Sequence, residues 1–301
     1  NAAAAVPAND SASNSSSAFS VLQNAGVPAA VAGSTLKVNF TVFSGGAVVQ
    51  NIKLLSSAPN KVNFAFAKLV PAANGDPDKW VSYVTRVKTT TSSSTGPAGQ
   101  PPAMAAADQG TTDPYYVDAT ALAGQLTYNA DGYYTYQFQA NVKDPAWTAK
   151  VGSTTYKTNG VVFEPNKTHR VAMQLQYSDA SGAVIKVNPY FDVTFDANGN
   201  SVAVTDPSKT RKMTDVSSCN GCHEKLALHG GGRVDTQYCV MCHNPGTTDP
   251  VSGNNVNLAT MVHKIHSGRL LAASTTPGGE DYFIGKHDYA EVGFPQDLRN
   301  C

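Results

Sequence analysis

The pentapeptides Cys219-Asn220-Gly221-Cys222-His223 and Cys239-Val240-Met241-Cys242-His243 lie twenty residues apart near the end of a 301-residue chain. They constrain how it folds more than any other feature. In a CxxCH run the two thiols form thioethers to the vinyl groups of a haem, and the residue after them is an axial iron ligand. Two intervening residues let one short turn set both sulfurs along a porphyrin edge, with the following imidazole under the iron. A segment built this way takes its core from the cofactor. The motifs predict haem c held by Cys219, Cys222, Cys239 and Cys242, with His223 and His243 as proximal ligands.

A structural zinc ion is the main rival, since the four cysteines also fit two C-x2-C pairs separated by 15–20 residues. Zinc held by four thiolates leaves unexplained why each pair is followed at once by histidine, in a chain with only seven. It also has no use for His229, His263, His266 and His287 nearby. Haem iron has a use for them, because each needs a second axial ligand. Disulfides explain the histidines no better. Met241 sits inside a CxxCH, pinned against its own haem edge, and Met213 and Met261 read as packing residues. Bis-histidine ligation follows, and it gives lower potentials than His/Met.

His263 and His266 lie three apart, hence on one face of a short helix, and suit two neighbouring haems. His229 stands between the motifs within reach of either haem, and His287 is placed for a haem further on. Arg233, after three glycines, is a partner for a propionate, with Lys225, Lys264 and Arg269 as lesser candidates. Cys301, the fifth cysteine, reads as the first residue of a third CxxCH, with more haems expected downstream.

The formal net charge is zero, so there is no basic footprint for nucleic acid. No run approaches the ~20 apolar residues of a membrane span, and the Ala-rich start lacks a signal peptide's charged and apolar regions. Haem attachment to CxxCH takes place outside the bacterial inner membrane, so the motif implies export. The expectation is a mature exported chain that meets a membrane only through a lipid anchor.

Residues 1–18 are Ala, Ser and Asn with few large apolar groups and predict a flexible leader. A domain over 19–205 follows, in which apolar and polar residues alternate from about 33 onward, as in Leu36–Val42, Val62–Phe66, Tyr134–Phe138 and Val171–Leu175. Val184–Val187 is interrupted at Asn188-Pro189 and resumes as Tyr190–Phe195; a proline cannot donate to a ladder, so it marks a boundary. The pattern predicts a mainly β, antiparallel Greek-key sandwich or barrel. Residues 89–112 read as a long loop. Asp196–Asn200 reads as a hairpin turn rather than a calcium loop, whose sixth and twelfth positions it lacks. His169 reads as a surface or hydrogen-bonded histidine. From 206 to 301 alternation is lost and an irregular, helix-poor multihaem domain is expected.

The runs CNGCHEKLALHGGGR (219–233), YCVMCHNPGTTD (238–249), MVHKIHSG (261–268) and FPQDLRNC (294–301) resemble the outer-membrane decahaem cytochromes of metal-reducing bacteria, the OmcA/MtrC type. The resemblance implies a split β-barrel domain followed by a multihaem domain, in a lipoprotein on the outer face of the cell. It implies partners as well: a porin–cytochrome conduit or other multihaem cytochromes as donors, with metal oxides, metal chelates or flavins as acceptors. Electron transfer without any acid, base or nucleophile is then the expected function, with terminal metal reduction as its outcome. The alternatives are a multihaem reductase of a nitrogen or sulfur oxyanion with one open haem site, and a zinc-stabilised binding module.

Overall fold

The structure, a computed structural model, describes residues 4–6, 19–23, 30–32, 36–44, 47–48, 61–87, 103–105, 108–111, 123–128, 134–151, 154–178, 182–249, 251–274, 281–285 and 287–297. The first strands are β1 (Ala4–Val6), β2 (Phe19–Gln23), β3 (Ala30–Ala32), β4 (Leu36–Ser44), β5 (Ala47–Val48) and β6 (Lys61–Val70). Then come β7 (Lys79–Ser82), β8 (Val84–Val87), β9 (Ala103–Ala105), β10 (Asp108–Thr111), β11 (Ala123–Tyr128) and β12 (Tyr134–Gln137). The last of the large region are β13 (Thr148–Val151), β14 (Thr154–Thr158), β15 (His169–Ser178), β16 (Val184–Val187), β17 (Tyr190–Phe195) and β18 (Ser201–Ala203).

Most of these strands join one sheet, in the order β1-β2-β4-β12-β11-β10-β6-β15-β17-β18 with β16, β3, β5 and β7 attached. A second sheet runs β13-β14-β8-β9. Aromatic and branched residues of both, among them Phe40, Phe64, Tyr136, Val171, Val84 and Tyr156, meet in a shared core, as in a sandwich. Neither sheet closes into a barrel among the described residues. The expected antiparallel pairing holds with one exception, the parallel pair β10 and β11.

Two parts of the pattern misled. The stretch read as a loop over 89–112 contains β9 and β10, which pair with β8 and β6. Their Ala-, Met- and Gly-containing sequences carry little intrinsic strand preference, so neighbouring strands recruit them. In the stretch read as a flexible leader, Ala4–Val6 adds an edge strand to β2; three small apolar residues suffice for that.

The spine is the β6–β15 ladder, in register from His169↔Lys68 to Gln176↔Lys61. Alternation sends Phe64, Phe66, Val171, Met173 and Leu175 into the shared core. The opposite face carries Asn63, Ala65, Ala67, Arg170, Ala172 and Gln174, all buried. By composition that face looks like the wet side of a half-buried sheet. It is covered instead by the segment containing the second CxxCH: Tyr238, Val240, Met241 and Leu258 pack with Ala65, Ala67, Leu69, Trp80 and Ala172.

Arg170, 1% exposed, fixes this contact. Its Nε and Nη2 donate to the two Asp192 carboxylate oxygens at 2.7 and 2.8 Å, and Nη1 donates to Gln237 Oε1 at 2.8 Å. The Trp80 and Tyr190 rings lie 4.2 and 4.3 Å from its guanidinium carbon. Gln237 and Thr236 in turn donate to the Thr214 carbonyl, so the connection after β18 is threaded along the same edge.

His169 is buried rather than on the surface, and its Nε2 lies 2.8 Å from the Tyr83 hydroxyl. Asp196 Oδ1 accepts from the Asn198 and Asn200 amides, both at 2.8 Å, so its oxygens serve a turn as expected.

Replacing Arg170 with Ala leaves Asp192 buried without its partner, and the expected loss is about 3–5 kcal/mol, checked by urea unfolding. His169 has its pKa pushed down to about 4 from 6.5, chiefly by burial. The unfolded chain therefore takes up that proton first as pH falls. Stability is full above about 6.5 and declines toward about 4, with a ceiling near ~3 kcal/mol. Urea midpoints followed from pH 7 to 4 should show this slope, and His169→Gln should flatten it.

Candidate metal centre

Four short helices carry or flank the motifs: α1 (Val216–His223), α2 (Thr236–Cys239), α3 (Leu258–His266) and α4 (Gly268–Ala272). Asp215, Asp235 and Asn257 cap the first three by accepting from Ser217, Gln237 and Ala259 amides, as their short oxygen-bearing side chains favour. Cys219 and Cys222 sit at i and i+3 within α1. Beyond α2 the helical bonding continues, the Cys239 carbonyl accepting from the Cys242 and His243 amides at 3.1 and 2.9 Å. Each motif is thus one helical turn with both thiols on one side and the histidine following.

The histidines gather in two ring-to-ring pairs. His223 of α1 faces His266 of α3 with ring centroids 6.0 Å apart and planes at 79°. His229 faces His243 at 6.0 Å and 37°. Two imidazoles bonded to one metal from opposite sides, at about 2 Å each, hold their ring centres about 6 Å apart. Each pair joins one CxxCH histidine to one of the spare histidines.

The backbone sets which nitrogen is free. His243 Nδ1 lies 2.8 Å from the Val256 carbonyl, and His266 Nδ1 lies 2.8 Å from the Val262 carbonyl. A carbonyl only accepts, so Nδ1 carries the proton in both and Nε2 keeps its lone pair for a metal. The Phe294 ring stands edge-on to His266 at 5.6 Å and limits its rotation. His229 is presented by a tight hairpin closed between Leu228 and Arg233, with φ at 51°, 77° and 80° for His229, Gly230 and Gly231. The glycines take up that left-handed path without cost from a Cβ.

The second motif is the more buried of the two, although His229 itself is exposed. Burial holds the His243 pKa below its ordinary value, raises that of the Cys242 thiol and pushes the Cys239 thiol up to about 12. Buried Asp235, the α2 cap, is raised to about 6, again chiefly by burial. The first motif is more open, with Cys222 exposed and Cys219 half-buried.

The remaining candidates are not paired in this way. His263 is exposed on α3, and His287 is exposed in the ribbon of β19 (Phe283–Ile284) and β20 (His287–Asp288). Neither has a histidine ring partner among the described residues. Cys301 lies outside the described residues. Met241 is 0% exposed and packs against the sheet. Met213 and Met261 are packing residues on that same cluster. Arg233 Nε donates to Gln174 at 3.3 Å and Arg269 Nη2 to the Glu291 carbonyl at 3.0 Å, while Lys264 lies over the Tyr282 ring. Among the described residues no three of His, Cys, Asp and Glu converge on a common point.

Residues 211–301 match the family model described as outer membrane cytochrome MtrC/MtrF-like, domains II/IV. The chain is similar to outer-membrane multihaem cytochromes of the OmcA/MtrC type. It is 25% identical over 157 residues to multiheme cytochrome MtrC of Shewanella baltica (strain OS185), covering 52% of this chain. The crystal structure of the outer membrane decaheme cytochrome OmcA superposes with a TM-score of 0.62 at 25% identity over 90% of the chain. MtrC from Shewanella baltica OS185 superposes at 0.51 and 21% identity over 81%, a likeness of fold. The chain spans 21% of the curated relative and 37% and 33% of the two solved chains.

The alanines beneath the second motif exist to let it approach. Ala172→Leu should overpack this contact and lower stability by about 1–3 kcal/mol. Hydrogen exchange should quicken across Thr236–His243 and stay unchanged in α1.

Proposed function

We propose that this chain carries electrons at the outer face of the cell through c-type haems, two of them held entirely by residues present here. Cys219 and Cys222 would attach one, and His223 and His266 would hold its iron. Cys239 and Cys242 would attach the other, and His229 and His243 would hold its iron. Exposed His263 and His287 are ligands left for neighbouring haems. The single observation that carries the reading is the pair of 6.0 Å ring separations, each joining a motif histidine to a distant one. Bound haem supplies the one-electron chemistry.

The chain's own residues do the positioning. The Val256 and Val262 carbonyls hold the tautomer and orientation of His243 and His266, which raises ligand basicity and limits movement on reduction. Two histidines holding each iron would favour low potentials and would leave no open position for a substrate. Burial around Cys239 and Cys242 shields the thioether side of the second haem site, while His229 leaves its other side open to solvent; exposure is one of the factors that set a haem potential. None of these residues acts as acid, base or nucleophile.

The β-rich part, 19–205, is a scaffold on which the multihaem part, 206–301, is seated. The boundary is supported by β18 ending at Ala203 and the family match starting at residue 211. By its likeness to outer-membrane cytochromes the chain is exported and faces outward. Among the described residues no helix is long and apolar enough to cross a membrane, and attachment is through a lipid anchor. Electrons arrive from a porin–cytochrome conduit or another multihaem cytochrome and leave to metal oxides, metal chelates or flavins.

The test is a pyridine haemochrome count with oxidised, reduced and carbon monoxide-treated spectra. Low-spin bands indifferent to carbon monoxide are expected. Carbon monoxide binding by the parent protein would favour the oxyanion reductase, and zinc without a Soret band would end the haem reading. His266→Ala should open one haem to carbon monoxide, while His266→Met should keep that iron six-coordinate and raise its potential.

A further inference from the structure

The strand pattern breaks at Asn188-Pro189, between β16 and β17, and the electron-transfer reading gives this break no task. Pro189 has no amide to donate, although its carbonyl accepts from Met173 at 2.8 Å. Asn188 is 0% exposed and a poor strand former. An asparagine in a turn ordinarily bonds its own neighbourhood. Here only one bond does so, from Nδ2 to the Val187 carbonyl at 2.9 Å. The other three reach 44 to 47 residues along the chain. Nδ2 donates to the Gly232 carbonyl at 3.0 Å, and Oδ1 accepts from the Val234 and Asp235 amides at 2.6 and 3.3 Å.

Those three residues stand between the two ligands of one iron. Upstream, Gly232 lies at the end of the hairpin that presents His229. Downstream, Asp235 is the cap of α2, from which the helical path runs through Cys239 to His243. The two rings sit 6.0 Å apart, on either side of a segment held by one buried amide. We infer that Asn188 is a positioning residue through which the β-rich part fixes the His229–His243 ligand pair. The inference rests on the haem reading above.

Three further observations support it. A Cβ at Gly232 would collide with the Gln174 amide, so the hairpin end lies directly against β15. Gln174 is itself held, its Oε1 accepting from Asn63 at 3.2 Å and from Arg233 Nε at 3.3 Å. His229 has a φ of 51°, a left-handed conformation that a non-glycine residue keeps only where its surroundings over-determine it. The hydrogen bonds at the hairpin's end supply that constraint. His243 has an independent hold through Val256, so loosening the Asn188 bonds releases His229 first.

The experiment compares the parent chain, loaded with its haems, with Asn188→Ala, Gly232→Ala and His229→Ala. Each is assayed for haem content, near-ultraviolet circular dichroism of Trp80 and Trp147, and carbon monoxide binding by the reduced protein. Asn188→Ala is expected to keep its haems and its aromatic signal and to gain carbon monoxide binding at one haem. Combined with His229→Ala it should add nothing further, and added imidazole should restore the low-spin spectrum. If Asn188→Ala fails to fold, Gly232→Ala, which displaces the same hairpin with Asn188 intact, carries the test. A folded Asn188→Ala that stays fully low-spin, or a Gly232→Ala that does so in its place, overturns the inference. A His229→Ala protein that binds no carbon monoxide overturns the ligand assignment itself, a separate failure.

Discussion

Arg170 carries a full positive charge into a place that water does not reach, and the arrangement of the rest follows from how that charge is met. Burying a guanidinium is costly unless its donors are satisfied and its charge is balanced. Asp192 takes two donors in the fork geometry that suits arginine. Gln237 takes another, and Trp80 and Tyr190 cover the two faces. These partners come from β7, β17 and α2, so one side chain ties the sheet to the helix that leads into the second CxxCH. The surrounding contact is apolar, alanines of the sheet against Tyr238, Val240, Met241 and Leu258, and apolar contact is non-directional. A directional charged network gives that contact one register.

The histidine pairs bring distant segments of the C-terminal region together. Under the haem reading, each iron joins segments that are far apart in sequence: α1 to α3 in one case, and the 228–233 hairpin to the turn after α2 in the other. Ligation is then a cross-link as well as a redox site, and helices of four to nine residues suffice. Leu228 and Val262, next in sequence to His229 and His263, keep exposed apolar side chains, an arrangement suited to a flat apolar cofactor. Isolated helices this short are marginal in water. The caps at Asp215, Asp235 and Asn257 and the packing on the sheet are what hold them.

Most of the strand positions were legible because period-two alternation is strong wherever one face is lined by Phe, Val, Leu or Tyr, as in β4, β6, β12 and β15. The weak strands β9 and β10 were not, since pairing partners rather than their own residues decide them. The role of the second face of β6 and β15 was hidden as well. Asn63, Ala65, Arg170 and Gln174 look like a solvated side, and composition cannot distinguish a wet polar face from one matched to a particular partner. Within the site, the motif cysteines and histidines were plain from spacing. His229 and His266 could be named as candidates, but which iron each serves is a question of which loops fold back together.

The sequence by itself determined the chemistry: two CxxCH turns, a surplus of histidines and a β-rich region ahead of them. Those are local facts, fixed by covalent spacing and side-chain type. Tertiary structure decided the pairing of His223 with His266 and of His229 with His243, the seating of Met241 on the sheet, and the use of Asn188 at a broken strand. Each of these depends on contacts between segments tens of residues apart. Such contacts form only when buried polar groups such as Arg170 and Asn188 find all their partners at once, and no local pattern encodes that condition.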